Sequence, residues 1–151
     1  MNKLIYEYYC VPFVTTINGE KQEHGGLVIY DTDENNVSYL KNKYTINKNT
    51  IEEIKDIIKN SNVLNIDKDD LVDEHAEGMD NSLPLIMDGI DYHFNFFDEK
   101  IYEIDNIHYY MDYVDDLPAH KTIKNTVSKI YALLNSEGIK VDNAFEWDDE
   151  D

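Results

Sequence analysis

Seven carboxylates and one histidine crowd into residues 67–80, DKDDLVDEHAEGMD. Asp67, Asp69, Asp70, Asp73, Glu74, Glu77 and Asp80 surround His75. Such a density suits three kinds of chemistry: holding a cation, acid–base catalysis, or attracting a basic surface. Spacing ranks them. On a helical wheel Asp70, Asp73, Glu74 and Glu77 fall on one side, and Leu71, Val72, His75, Ala76 and Met79 fall on the other. The segregation predicts a short amphipathic helix over 70–79, capped by Asp67 or Asp69. Carboxylates strung along one face do not converge on a point, so chelation is disfavoured. Asp70–Glu74 and Asp73–Glu77 are like-charge pairs, each costing about 0.2–0.5 kcal/mol. Packing of Val72, Ala76 and Met79 must offset that repulsion, and a basic partner would relieve it. The competing reading is a solvated face that serves solubility alone.

A second stretch, IHYYMDYVDD at 107–116, interleaves Tyr109, Tyr110 and Tyr113 with Asp112, Asp115 and Asp116. Tyrosine offers amphipathic contact area at low entropy cost and is enriched at interfaces. The predicted partner-binding residues are therefore Asp70, Asp73, Glu74 and Glu77, with Tyr109, Tyr110, Asp112 and Tyr113. The competing reading packs some of these rings under the last helix.

Other constellations are weaker. DTDENNVSYLKN (31–42) puts Asp31, Asp33 and Asn35 at EF-hand positions, but Asn36 replaces the glycine and Asn42 the bidentate glutamate. An Asp- and Asn-rich turn accounts for it. His24, His75, His93, His108 and His120 form no HExxH motif. His75-Ala76-Glu77 resembles half of a deaminase motif whose cysteine half one cysteine cannot supply. No G-x-S-x-G, S-x-x-K or phosphate-cradling glycine loop occurs. Cys10 excludes an intramolecular disulfide, and its apolar setting points to a buried, inert thiol. No catalytic residue, metal ligand or cofactor is predicted.

The whole chain fits this picture. Its 151 residues carry 32 carboxylates against 13 cations, a net charge of −19. That is on the order of one uncompensated negative charge per 400 Å² of surface. Direct nucleic-acid binding and an anionic membrane surface are both disfavoured. A basic protein partner is favoured. All 13 cations are lysines, which argues against bidentate phosphate recognition, although AT-rich coding produces the same bias. No apolar run approaches a membrane span, and MNKLIYEYYC lacks the core of a signal peptide, so a cytoplasmic location is expected.

Ordered elements must position these residues. Residues 3–16 read as a strand broken or bulged at Pro12. GGLVIYD (25–31) and NVSYLKNKYTI (36–46) read as two more strands, with TDENN turning between them. Thr50 and Glu53 form a capping box that opens a helix with Ile51, Ile54, Ile57 and Ile58 on one face, ending at Asn60. Asp88-Gly89 reads as a hairpin turn. Ile90, Tyr92, Phe94 and Phe96 then alternate with Asp91, His93 and Asn95, which predicts a strand with one wet face. IYEIDNI (101–107) reads as its partner. A helix runs from Pro118 to Glu137 behind Ile123, Val127, Ile130 and Leu134, with Gly138 closing it. The order βββαββ(β)α predicts an α+β domain over 1–143, with five or six antiparallel strands, two main helices on one face, and an acidic tail over 144–151.

Three functions compete. The first is a non-enzymatic binding or inhibitor protein, immunity-protein-like or nucleic-acid-mimicking, that docks on a basic protein such as a nuclease. The second is a metal-dependent hydrolase assembled from His75, His93, His108 and distant carboxylates. The third is a soluble structural domain whose charge serves only solubility.

Overall fold

The alternation of buried and wet positions along the strands organises the molecule. The structure is a computed structural model that describes residues 3–11, 15–21, 26–32, 37–40, 44–71, 91–105 and 117–142. Its strands are β1 (Lys3–Val11), β2 (Thr16–Ile17), β3 (Glu20–Lys21), β4 (Gly26–Asp31), β5 (Val37–Leu40), β6 (Thr45–Asn47), β7 (Asp91–Phe96), β8 (Lys100–Asp105) and β9 (Val141–Asp142). Its helices are α1 (Lys48–Asn60) and α2 (Pro118–Ser136).

Six strands form one antiparallel sheet in the order β6-β5-β4-β1-β7-β8. At its centre Tyr6 lies between Ile29 and Phe96, and Tyr8 between Leu27 and Phe94. Those side chains are all buried and face the helices. Each full burial of this kind contributes about 1.5–3 kcal/mol. The register slips between Leu4 and Tyr6, a bulge at Ile5. Its carbonyl instead accepts from the Phe97 backbone N–H at 2.9 Å. Gly26 pairs with Tyr9, and a Cβ there would stand 1.9 Å from the Tyr8 carbonyl oxygen. The close approach of β1 and β4 therefore requires glycine at this point.

Both helices cover the same face. Ile51, Ile54 and Ile58 of α1, and Ile123, Val127, Ile130 and Leu134 of α2, are fully buried. Tyr131 of α2 crosses β1: its hydroxyl lies 2.7 Å from that of Tyr6, and its ring meets Tyr8 edge-on. Burial holds the Tyr6 and Tyr8 hydroxyls well above the ordinary tyrosine pKa, so both stay neutral. Cys10 is buried as expected, and burial raises its pKa. The fold is thus the expected α+β arrangement of an antiparallel sheet with two main helices on one face.

Several local expectations are corrected. Residues 36–46 do not form one strand: β5 and β6 fold back on each other, pairing Tyr39 with Thr45. Helix α1 opens earlier than the Thr50 capping box, because Asn47 Oδ1 caps it by accepting from Asn49 N–H at 2.8 Å. The Thr50 hydroxyl donates instead to Glu137 at the end of α2, tying the two helices together. Asn95, expected on a wet face, is 9% exposed. A small sheet was not expected at all: β2 pairs with β3 and β9. Asn18 and Gly19 turn between β2 and β3. Asn18 then clamps the end of α2, exchanging backbone and side-chain bonds with Lys140 and Gly138. The Asp88-Gly89 turn and the acidic tail lie outside the described residues.

Candidate functional site

Tyr102 fixes where the acidic stretch begins. Buried on β8, its hydroxyl meets the carbonyl oxygens of Val63 and Ile66, each at 2.9 Å. A single hydroxyl proton is thus shared between two buried acceptors of the 3₁₀ turn (Val63–Asn65) and its exit. Burial, and next the Asp67 carboxylate, push the Tyr102 pKa up to about 12. From that anchor the chain enters a helical turn at residues 68–71. Asp67 caps it: its side chain accepts from Asp69 N–H at 3.0 Å and its carbonyl from Asp70 N–H at 3.0 Å. Leu71 is buried, whereas Asp67, Asp69 and Asp70 are exposed. The first turn therefore has the expected cap, its acids outside and its leucine inside.

Of the residues predicted to bind a partner, only Asp70 can be placed. Asp73, Glu74, Glu77, Tyr109, Tyr110, Asp112 and Tyr113 lie outside the described residues. Charge is nonetheless unevenly divided along the chain. Residues 69–90, 106–116 and 143–151 hold fifteen of the 32 carboxylates and none of the 13 lysines. The rest of the chain holds the other seventeen carboxylates with all 13 lysines. Most of the net charge of −19 therefore belongs to those three segments.

Among the described residues, lysines and carboxylates gather at one end of the sheet. A cleft of about 560 Å³ is lined by Lys3, Leu4 and Ile5 of β1, Asp31 of β4, Lys55 and Lys59 of α1, and Phe97, Asp98 and Glu99 of the β7–β8 turn. Asp31 is already committed: Lys48 and Lys55 both bind it. Burial alone would raise its pKa, but the hydrogen bonds from these lysines outweigh burial and hold the carboxyl below its ordinary range. The hydrogen bond to Asp31 in turn raises Lys55, which keeps that amine protonated and unsuited to nucleophilic work. The first position of the EF-hand-like run is thus a brace between sheet and helix.

Phe97 and Asp98 carry φ of 57° and 59°. Glu99 N–H donates to the Phe96 carbonyl at 2.9 Å, closing a two-residue turn. Both central residues with positive φ define type I′, which ordinarily takes Asn-Gly. The Lys59 ammonium lies 6.0 Å from the Phe97 ring centre. Sequence reasoning missed this cleft. Lysines at 55 and 59, one helical turn apart, were its visible trace, but the hairpin tip that faces them is brought there by the fold.

Histidines do not assemble a metal centre in the described region. His93 stacks on Tyr9 with ring centres 4.4 Å apart, and its Nδ1 lies 3.6 Å from a Glu103 carboxylate oxygen. His120 is buried in the first turn of α2. His24, His75 and His108 lie outside the described residues. Among the described residues no group of three histidines, cysteines or carboxylates is placed to hold a metal. Also among them, no helix is long and apolar enough to cross a membrane.

Compared with known proteins, the chain matches no family model, and no curated protein or solved structure is significantly similar to it.

Proposed function

We propose that this is a non-enzymatic binding protein that docks on a basic protein partner through its acidic segments. The observation that carries this reading is the division of charge. Fifteen carboxylates and no lysine fall in residues 69–90, 106–116 and 143–151, while the rest of the chain carries all 13 lysines. A field concentrated on a few segments steers a cationic surface toward them, whereas charge spread for solubility needs no such concentration. Asp67, Asp69 and Asp70 stand exposed where one of these segments starts. By their spacing Asp73, Glu74 and Glu77 share one side of the helix expected over 70–79, and the tyrosines at 109, 110 and 113 offer apolar contact area. Rows of carboxylates present the charge that phosphates present, so the fitting partner is a protein with a nucleic-acid-binding surface, such as a nuclease.

Association should be fast at low salt and slow steeply as ions screen the field. The test reverses Asp70, Asp73, Glu74 and Glu77 to lysine and follows partner capture and association rate across a salt series. Association should slow by about tenfold or more at low ionic strength, with the gap narrowing at high salt. Unchanged capture and rate in the reversed protein would overturn this assignment. Tyr109→Ala and Tyr113→Ala should act on dissociation instead, since apolar contacts form after encounter.

A further inference from the structure

The cleft at the end of the sheet holds opposite charges that do not meet. Lys3 of β1 and Lys59 in the last turn of α1 supply ammonium groups, and Asp98 and Glu99 of the β7–β8 turn supply carboxylates. Among the described residues none of the four lies within 4.0 Å of an opposite charge. Among the described residues the Asp98 side chain accepts one long bond, 3.4 Å, from Asn95. Leu4 and Phe97 add an apolar wall. The volume, about 560 Å³, falls within the range of small-molecule sites.

We propose that this cleft binds a small zwitterion, of amino-acid to dipeptide size. Its carboxylate would face Lys3 and Lys59, its ammonium group Asp98 and Glu99, and its apolar body Leu4 and Phe97. Net charge favours a dipolar ligand over a simple anion. A chain at −19 repels anions at long range, and two ammonium groups beside two carboxylates do not reverse that field. A zwitterion feels little of the net field and gains from both signs on contact. The turn supports the same assignment. Phe97 and Asp98 occupy a backbone region that costs most residues energy, and such outliers concentrate at ligand sites. This proposal rests on residues other than those of the acidic segments and stands or falls independently of the docking proposed for them.

The full-length protein, isotope-labelled, would be titrated with leucine and glycyl-leucine while backbone amide shifts are followed. Three controls carry one charge sign each: N-acetyl-leucine, leucine amide and inorganic phosphate. Saturable shifts confined to residues 3–5, 55–59 and 97–99 are expected, with a dissociation constant of about 1 mM or tighter. Each single-sign control should bind there about tenfold more weakly, as should Lys59→Met and Asp98→Asn proteins. Melting temperatures near that of the parent would show that the variants fold. Should either variant fail to fold, the ligand series on the parent protein still decides the matter. No saturable shift at these residues would overturn the proposal, and so would N-acetyl-leucine or phosphate binding there as well as the zwitterions.

Discussion

The β2–β3 hairpin turns on Asn18 and Gly19, and the β7–β8 hairpin turns on Phe97 and Asp98. All four residues have positive φ: 53° and 84° in the first turn, 57° and 59° in the second. The backbone solution is the same, and its causes are opposite. Asn-Gly adopts this turn through its own chemistry, because glycine has no Cβ and asparagine tolerates the left-handed region. Phe-Asp adopts it because the surroundings insist. The Phe97 N–H is held by the Ile5 carbonyl, its half-buried ring packs on the core, and Lys59 lies over that ring. A turn set by local preference closes a small sheet onto the end of α2. A turn set against preference forms one wall of a charged cleft. Where the fold overrules the residue, a reason beyond folding is worth seeking.

The comparison implies that the second hairpin depends on tertiary contacts, and Tyr102 offers the sharpest way to break it. Tyr102→Phe removes the donor from two buried carbonyls and should cost about 1–3 kcal/mol. Denaturant midpoints at neutral pH would measure it. The sign of the pH dependence follows from the raised pKa, about 12 against an ordinary value near 10. A raised folded value means the contribution is complete below pH about 10 and is lost as pH rises toward 12. Tyr6 and Tyr8 are raised as well, so the variant should keep an alkaline loss of stability, only a shallower one. An unchanged alkaline slope would mean that Tyr102 does not hold the 63–66 segment.

The first hairpin should be sensitive to its own residues instead. A Cβ at Gly19 would meet nothing within 4 Å, so Gly19→Ala tests the backbone alone. It should destabilise by about 1–2 kcal/mol, the cost of a left-handed conformation for a residue with a Cβ. A smaller loss would mean that this turn too is held by its surroundings, and the contrast would fail.

The two hairpins also show what the sequence makes legible. Period-two alternation placed Tyr92, Phe94 and Phe96 on the buried face, and period 3.6 placed Ile123, Val127, Ile130 and Leu134 in the core. Those patterns are written by burial itself, so they survive translation into one dimension. Asp67 as a cap was legible because capping is local chemistry. The Asn18-Gly19 turn carried an equally local signal, obscured by the shortness of its strands. What could not be read was imposed from a distance. The Phe97 turn needs Ile5, Asp31 needs Lys48 and Lys55, and the Thr50 hydroxyl needs Glu137, 87 positions along the chain. The cleft is made almost wholly of such pairings. No reading of composition or spacing brings Lys3, Lys59 and Asp98 together.

The smallest predicted effect separates strain from mere irregularity at the second turn. Asp98→Gly removes a Cβ from a left-handed position and leaves the Phe97 side chain in place. If the turn is strained, the protein should gain about 0.5–1 kcal/mol, read as a higher denaturant midpoint. The bond lost from Asn95 is long, and so offsets little of that gain. The same substitution removes one carboxylate from the cleft and should weaken zwitterion binding there. Stability and binding would then move in opposite directions through one residue, as expected where a sequence keeps a conformational cost for its ligand. A glycine that weakens both would instead make Asp98 a structural residue. The two turns would then differ in composition but not in purpose.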